Sequence, residues 1–204
     1  MSQFPKVRFL LSAASEEQFP ADVGTEVAFV GRSNSGKSSA INTILVRNGL
    51  ARASKTPGRT RLLNFFEIEE GRRIIDLPGY GYAEASPVEK TQWIALIKKL
   101  PRRKCIGGLF LIVDIRRGIT DQDIQLLDWS GAAGWPVHVL LTKADKLNQR
   151  DRAAALKAAE EILGEGMTVQ VFSATDKIGV QAAQKRLVEL LHPPAPPSME
   201  DSTP

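Results

Sequence analysis

The stretch at 31–38, Gly-Arg-Ser-Asn-Ser-Gly-Lys-Ser, constrains this chain more than any other. It matches the pattern GxxxxGK[ST], a glycine-rich turn that wraps a polyphosphate. Gly31 and Gly36 free the backbone to approach a ligand closely. The successive N–H groups of Arg32, Ser33, Asn34 and Ser35 can then turn inward as a nest for phosphate oxygens. Lys37 brings a mobile positive charge to the β- and γ-phosphates, and the Ser38 hydroxyl is placed to ligate Mg²⁺. Such a loop works between a strand and a helix. Residues 26–30, Glu-Val-Ala-Phe-Val, read as a short buried strand, and 38–47 as a helix whose N-terminus faces the phosphates.

The remaining chain supplies a fold for that loop. Segments 62–68 and 72–77 flank Glu69-Glu70-Gly71 and read as a β-hairpin, which makes its first strand antiparallel to its neighbour. The apolar run at 109–115 reads as a central parallel strand buried on both faces, 136–141 as another buried strand, and 168–172 as a final strand. Between them, Ser86, Pro87 and Glu89 open a helix with a capping-box signature and an apolar face of Trp93, Ile94, Ile97 and Leu100. A second helix follows Thr120, with Asp121 and Asp123 at its positive end. A third spans 151–163 and is expected to stop in a left-handed cap at Gly164, and a fourth spans 180–191. This alternation predicts an α/β three-layer sandwich: a mostly parallel six-stranded sheet with one antiparallel strand and helices on both faces. Residues 1–24 are expected to form an arm that docks as an edge element through the apolar patch 7–11, 25–191 the domain, and the proline-rich 192–204 a disordered tail.

Composition narrows the function classes. The chain of 204 residues is 43% hydrophobic and 25% charged, with no apolar run long enough for a membrane span and no signal-peptide core. Its one cysteine, Cys105, excludes an internal disulfide and fits a reducing cytoplasm. The net charge of +4 is unevenly placed: Arg47, Arg52, Lys55, Arg59 and Arg61 form one cluster, and Lys98, Lys99, Arg102, Arg103 and Lys104 another. Both suit an anionic partner such as nucleic acid, although solvated loops also collect basic residues. No His/Cys group has metal-ligand spacing, and His138, inside an apolar strand, reads as a satisfied sheet residue. No dedicated interface stripe is visible, so a monomer is expected.

The choice of base falls to Thr142-Lys143-Ala144-Asp145 at the end of a strand, which resembles the guanine-reading motif NKxD. The Asp145 carboxylate can accept from N1–H and the exocyclic amine of guanine, whereas adenine would leave it unpaired. The Lys143 stem would lie along the base. Thr142 replaces the usual asparagine and offers fewer loop contacts. Phe172-Ser173-Ala174, after the last strand, supplies a second anchor for the base. Asp76-Leu77-Pro78-Gly79 matches DxxG: Asp76 would hold Mg²⁺ through water, and the Gly79 amide would sense the γ-phosphate. Thr60, within the nucleotide-contacting stretch Gly58-Arg59-Thr60-Arg61-Leu62, is the expected switch threonine and third metal ligand, with Thr56 the alternative.

Together SNSGKSSAIN, KTPGRT, DLPGYGYA, DIRRGIT and LTKADKL resemble the EngB family of ribosome-biogenesis GTPases, within the TrmE-Era-EngA-EngB-septin group, over residues 5–192. The resemblance implies a Ras-like P-loop fold, GTP with Mg²⁺, a role in maturing the large ribosomal subunit, and a link to cell division and septation. Tyr80 stands where many GTPases carry the glutamine that orients water, so intrinsic hydrolysis is expected to be slow. Asn34 stands where potassium-stimulated relatives carry an asparagine. Its side chain either helps hold K⁺ beside the phosphates, which would join it to Lys37, Thr60 and Gly79 as a catalytic residue, or satisfies loop backbone groups. The other readings are a GTPase acting on a non-ribosomal target such as a division complex, and an ATP-using P-loop enzyme.

Overall fold

The structure is a computed structural model that describes residues 4–51, 62–81, 91 and 100–193. Seven strands form one sheet: β1 (Arg8–Ala13), β2 (Thr25–Gly31), β3 (Leu63–Glu69), β4 (Arg72–Asp76), β5 (Ile106–Asp114), β6 (Val137–Thr142) and β7 (Thr168–Val171), in the order β1-β3-β4-β2-β5-β6-β7. Strands β4, β2, β5, β6 and β7 pair in parallel, while β3 runs antiparallel to both β4 and β1. One strand thus opposes the rest, as the hairpin pattern predicts.

The sheet has seven strands rather than the six expected, because the arm does more than dock: its 8–13 segment is a strand of the sheet. Ser12 donates to Asn64 at 2.6 Å, Arg8 pairs with Glu67, and Phe9 meets Phe66 edge-on. The apolar patch at 7–11 is contiguous and lacks the alternation that marks a half-buried strand.

Alternation within the buried strands sorts side chains to two layers. Ala28 and Val30 of β2 face a core with Phe65, Leu111, Val113, Leu126 and Leu127. Val27 and Phe29 face a second core with Ile41, Ile44, Phe110, Ile112 and Leu187. Helices α1 (Lys37–Ile44) and α4 (Val180–Leu191) cover the second layer, and α2 (Asp121–Ala132) and α3 (Gln149–Ile162) the first. Phe29 stacks on Phe110 with centroids 4.7 Å apart. Each such buried ring contributes roughly 1.5–3 kcal/mol over exposure.

Helix ends depart from expectation in two places. Helix α1 stops at Ile44 rather than 47, where Val46 takes φ 54 and the Asn42 amide clasps Ala51 through two 2.8 Å hydrogen bonds. Helix α3 begins earlier than 151 because the Asn148 side chain accepts from Asp151 N at 2.9 Å. It ends through an extended Leu163, and the left-handed position falls at Gly166 rather than Gly164. The helix read after Ser86 lies outside the described residues, apart from isolated positions.

At the amino ends of the strands, fully buried Glu26 accepts from Arg73 at 2.7 Å and from Arg103 at 2.8 Å. The two guanidiniums also donate to the carbonyls of Pro20, Ala21 and Val23, which ties the arm's return segment under the sheet. Arg103 therefore leaves the basic cluster it was read into: its charge is used internally.

Candidate nucleotide-binding site

The carboxyl ends of the parallel strands bring together the phosphate loop, the DxxG segment and the Thr142–Asp145 segment, where ligands of open α/β sheets bind. The phosphate loop leaves β2 at Gly31. A Cβ there would fall 2.5 Å from the Ile112 carbonyl, so only glycine fits against β5. Asn34 (φ 63) and Gly36 (φ 95) are left-handed, and Gly36 caps α1, so its first N–H groups face the loop. The buried Ser35 hydroxyl has no hydrogen-bond partner among the described residues. Lys37 and Asp76 form a direct, largely buried ion pair, and Ser38 follows in the first turn of α1. The residue expected to grip phosphate and the residue expected to hold metal are thus adjacent.

The DxxG segment is zipped to the phosphate loop. Leu77 N donates to Phe29 O at 3.0 Å, then Tyr80 N to Gly31 O at 3.3 Å and Ser33 N to Tyr80 O at 2.8 Å, with Pro78 on the same run. A Cβ on Gly79 would come within 3.1 Å of the Ser33 backbone. The Tyr80 phenol is buried and donates to Asp123, and burial drives its pKa well above the usual phenol range. Asp123, 1% exposed, also accepts from Thr120 N at 2.7 Å and from its hydroxyl at 2.6 Å, closing a capping box on α2. The phenol is therefore turned into the α2 N-terminus, unable to orient water as a glutamine would. Asp123 was read as a dipole-favoured acid; its spacing of three from Thr120 is the signal for this second role.

The base-reading segment is held from three sides. The Thr142 hydroxyl donates to Ser35 O, with Val113 O also within 3.0 Å, and so fastens β6 to the phosphate loop. Lys143, left-handed at φ 60, donates to Asn34 O at 2.6 Å and pairs with Asp114 at 2.9 Å. Ala144 N donates to Phe172 O at 3.1 Å, joining the two base anchors. Asp145 accepts from Ser173 Oγ at 2.7 Å and pairs with Lys146 at 3.2 Å; the serine bond leads in lowering its pKa, so it is ionised and acceptor-only. Ala174 packs against the second core layer. Sequence reasoning missed Asp114, a carboxylate closing the apolar run of β5, although its place at the carboxyl end of a central strand is itself a pointer.

Of the remaining expected site residues, Leu62 precedes β3 and is half-buried, while Thr56, Gly58, Arg59, Thr60 and Arg61 lie outside the described residues. His138 bonds Thr168 and Gln170 within the sheet, and burial lowers its pKa to about 4, which fits its structural reading. Cys105 is buried and its thiol is pushed up to about 12, chiefly by burial. Among the described residues no helix is long and apolar enough to cross a membrane.

A family profile described as "50S ribosome-binding GTPase" matches residues 26–143. The chain is 46% identical over 197 residues to a protein of Dechloromonas aromatica named "Probable GTP-binding protein EngB", covering 94% of this chain and 90% of that one. A protein of the same name from Francisella philomiragia is 43% identical over 190 residues, covering 90% and 96%. Among solved structures, a probable GTP-binding protein engB superposes with a TM-score of 0.61 at 24% identity, covering 82% of this chain and 98% of that one. Era superposes with a TM-score of 0.62 at 22% identity, covering 89% of this chain and 62% of that one. These two share the fold, which with the family profile is that of a Ras-like GTPase. With the identities to curated relatives and the geometry of the site, the chain belongs to the EngB family of GTP-binding proteins.

Proposed function

We propose that this GTPase is a Mg²⁺-dependent switch whose output is transient binding to an assembling large ribosomal subunit. The observation that carries the nucleotide reading is the junction at Lys143. One loop presents the ionised Asp145 to a base edge, while the lysine ammonium grips the phosphate loop at Asn34 O. A guanine nucleotide satisfies both ends of that junction. An adenine base presents no N1–H or 2-amino donor to Asp145.

Lys37 exchanges its bond to Asp76 for the β- and γ-phosphates, and the freed carboxylate and the Ser38 hydroxyl would hold Mg²⁺. Both are hard oxygen donors, and Mg²⁺ at nucleotide sites takes one or two protein ligands beside phosphate and water. The ion would neutralise charge on the transferring phosphoryl group. Thr60 would add its hydroxyl in the triphosphate state, and the Gly79 N–H, close to the phosphate loop, would report the γ-phosphate. With the Tyr80 phenol committed to Asp123, intrinsic hydrolysis is slow. The side chain of Asn34, a residue with left-handed backbone, is exposed and without a hydrogen-bond partner among the described residues, and would help hold K⁺. Hydrolysis measured in potassium and in sodium at equal ionic strength tests this. Equal rates, with and without ribosomal subunits, count against Asn34.

The ribosomal target is supported by the family profile and by the identity to EngB proteins. Exposed Arg47, Arg102 and Lys104 provide charge for RNA phosphates at low salt, without Arg103. The division and septation role implied by the resemblance is part of the same proposal. Co-sedimentation with large subunits, across a salt series and with GDP or a non-hydrolysable GTP analogue, is expected to depend on both variables. Binding insensitive to nucleotide would redirect the switch to another target.

A further inference from the structure

Asp114 belongs to none of the nucleotide motifs, yet it is a 6% exposed carboxylate at the rim of the site. It ends β5 in register with Thr142 at the end of β6, so the sheet places it beside Lys143. Its oxygens accept from Arg116 Nε at 3.0 Å, Arg116 Nη2 at 2.7 Å and Arg116 N at 3.1 Å, and Oδ2 also pairs with Lys143 Nζ at 2.9 Å. We infer that Asp114 is a positioning residue for nucleotide recognition: it anchors the Lys143 ammonium so that the lysine stem becomes a fixed platform for the purine face. The inference rests on the guanine-nucleotide reading of the site.

A lysine stem on a surface loop is otherwise flexible, and ordering it on binding would subtract from affinity. Here the ammonium is held twice, by Asp114 and by Asn34 O, so the stem is ordered before a ligand arrives. Lys143 and Asn34, at opposite ends of that tether, both adopt left-handed conformations that non-glycine residues keep only when the surroundings hold them. Burial raises the Asp114 pKa, but the bonds from Arg116 and Lys143 outweigh it and keep the carboxyl far below its ordinary range. The anchor is therefore charged at neutral pH. Arg116 approaches from the solvent side and neutralises the remaining charge, leaving Asp114 no need of a ligand of its own. It acts only through Lys143.

That wording gives the test. Affinity for a fluorescent GDP is measured for wild type, Asp114→Asn, Lys143→Met and the double variant, with ADP as competitor and thermal melting recorded in parallel. Lys143→Met keeps the apolar stem, removes the ammonium, and lies at a partly exposed position, so it tests the tether without altering the carboxylate. Each single variant is expected to weaken GDP binding ~10-fold, and the double variant to be no weaker than Lys143→Met alone. In saturating GTP, kcat of Asp114→Asn is expected to stay within ~2-fold while its KM rises, the pattern of lost uniform binding. Wild-type affinity in Asp114→Asn or in Lys143→Met overturns the inference. So does an equal further loss on adding Asp114→Asn to Lys143→Met. Should Asp114→Asn melt early, Lys143→Met decides alone. If wild type itself fails to prefer GDP over ADP, it is the guanine reading that fails.

Discussion

The two ends of the sheet both bury charge, but they use it differently. At the amino ends, Glu26 has each oxygen taken by guanidinium donors, and those guanidiniums go on to backbone carbonyls of the arm. The network closes on itself. At the carboxyl ends, Lys37 and Asp76 satisfy each other, yet each is the kind of group a magnesium nucleotide would take over. Beside them Ser35 keeps a buried hydroxyl with no partner among the described residues. One end spends its charge on holding chain segments together; the other keeps an internal pair that a ligand can exchange. Substitutions at the two ends should therefore separate stability from activity.

The largest effect is expected at Glu26. Glu26→Ala leaves Arg73 and Arg103 as buried cations without their partner, a loss of about 3–5 kcal/mol in unfolding free energy by urea titration. GDP affinity of the folded protein should be unchanged. A weaker-binding but fully stable Glu26→Ala protein would break the division between the ends.

Lys37→Ala is the opposite case. Removing a charge aimed at the transferring phosphoryl group should lower single-turnover hydrolysis by about 10²–10³. Asp76 is buried and loses its ammonium partner, so the fold is expected to survive where Mg²⁺ is present to replace the lost positive charge. Urea titration beside the kinetics shows whether the loss is confined to activity.

His138 sharpens the comparison at the amino-end half of β6 through pH. Its folded pKa of about 4 lies below the unfolded value near 6.5 because the ring is buried between Thr168, Gln170 and Phe110, with Arg186 and Glu189 of α4 facing it. The unfolded chain therefore takes up the proton first. Stability should fall as pH drops from about 6.5 to about 4 and then level off, by at most about 3 kcal/mol at 1.36 kcal/mol per unit. His138→Gln should flatten that slope while leaving GDP affinity untouched. A slope that survives the substitution assigns the pH dependence to other groups.

How much of this was legible in the sequence differs between the ends for a physical reason. The phosphate loop, DxxG and Thr142–Asp145 segments are local patterns in which the chemistry needs fixed neighbours, so Lys37, Asp76 and Asp145 could be named and brought together from spacing alone. The closed network has no local pattern. Glu26 and Arg103 are 77 positions apart, and Arg103 sits among basic residues that look solvated. Asp123 could be read as the acid of a helix start, but its partner Tyr80 lies 43 positions away. Asp114 was masked by the apolar run it ends. The arm's strand was masked by a patch without alternation, since its partner is a strand whose own antiparallel direction sets the register. Groups that meet a ligand recur in short motifs, whereas groups that meet each other are paired by topology.

Thr142 gives the finest test, because it stands at the carboxyl end and yet does structural work. Its hydroxyl has one proton and two carbonyls within reach, Ser35 O and Val113 O, so it can fasten the phosphate loop or the neighbouring strand but not both at once. The usual asparagine carries two N–H donors and meets no such limit. Thr142→Ala removes a buried neutral hydrogen bond, worth about 1 kcal/mol. If that bond positions the loop for phosphate, the loss should appear as an approximately fivefold weaker GDP affinity at unchanged kcat. If it only joins strands, the same loss should appear in the urea midpoint, with affinity intact, as at Glu26. Thr142→Ser keeps the hydroxyl and should restore whichever property falls. Because Gly36 leaves room for a Cβ only 3.4 Å from the Thr142 hydroxyl, the loop is already packed against this side chain. The expected outcome is therefore the affinity loss, which would place Thr142 with the exchangeable end of the sheet.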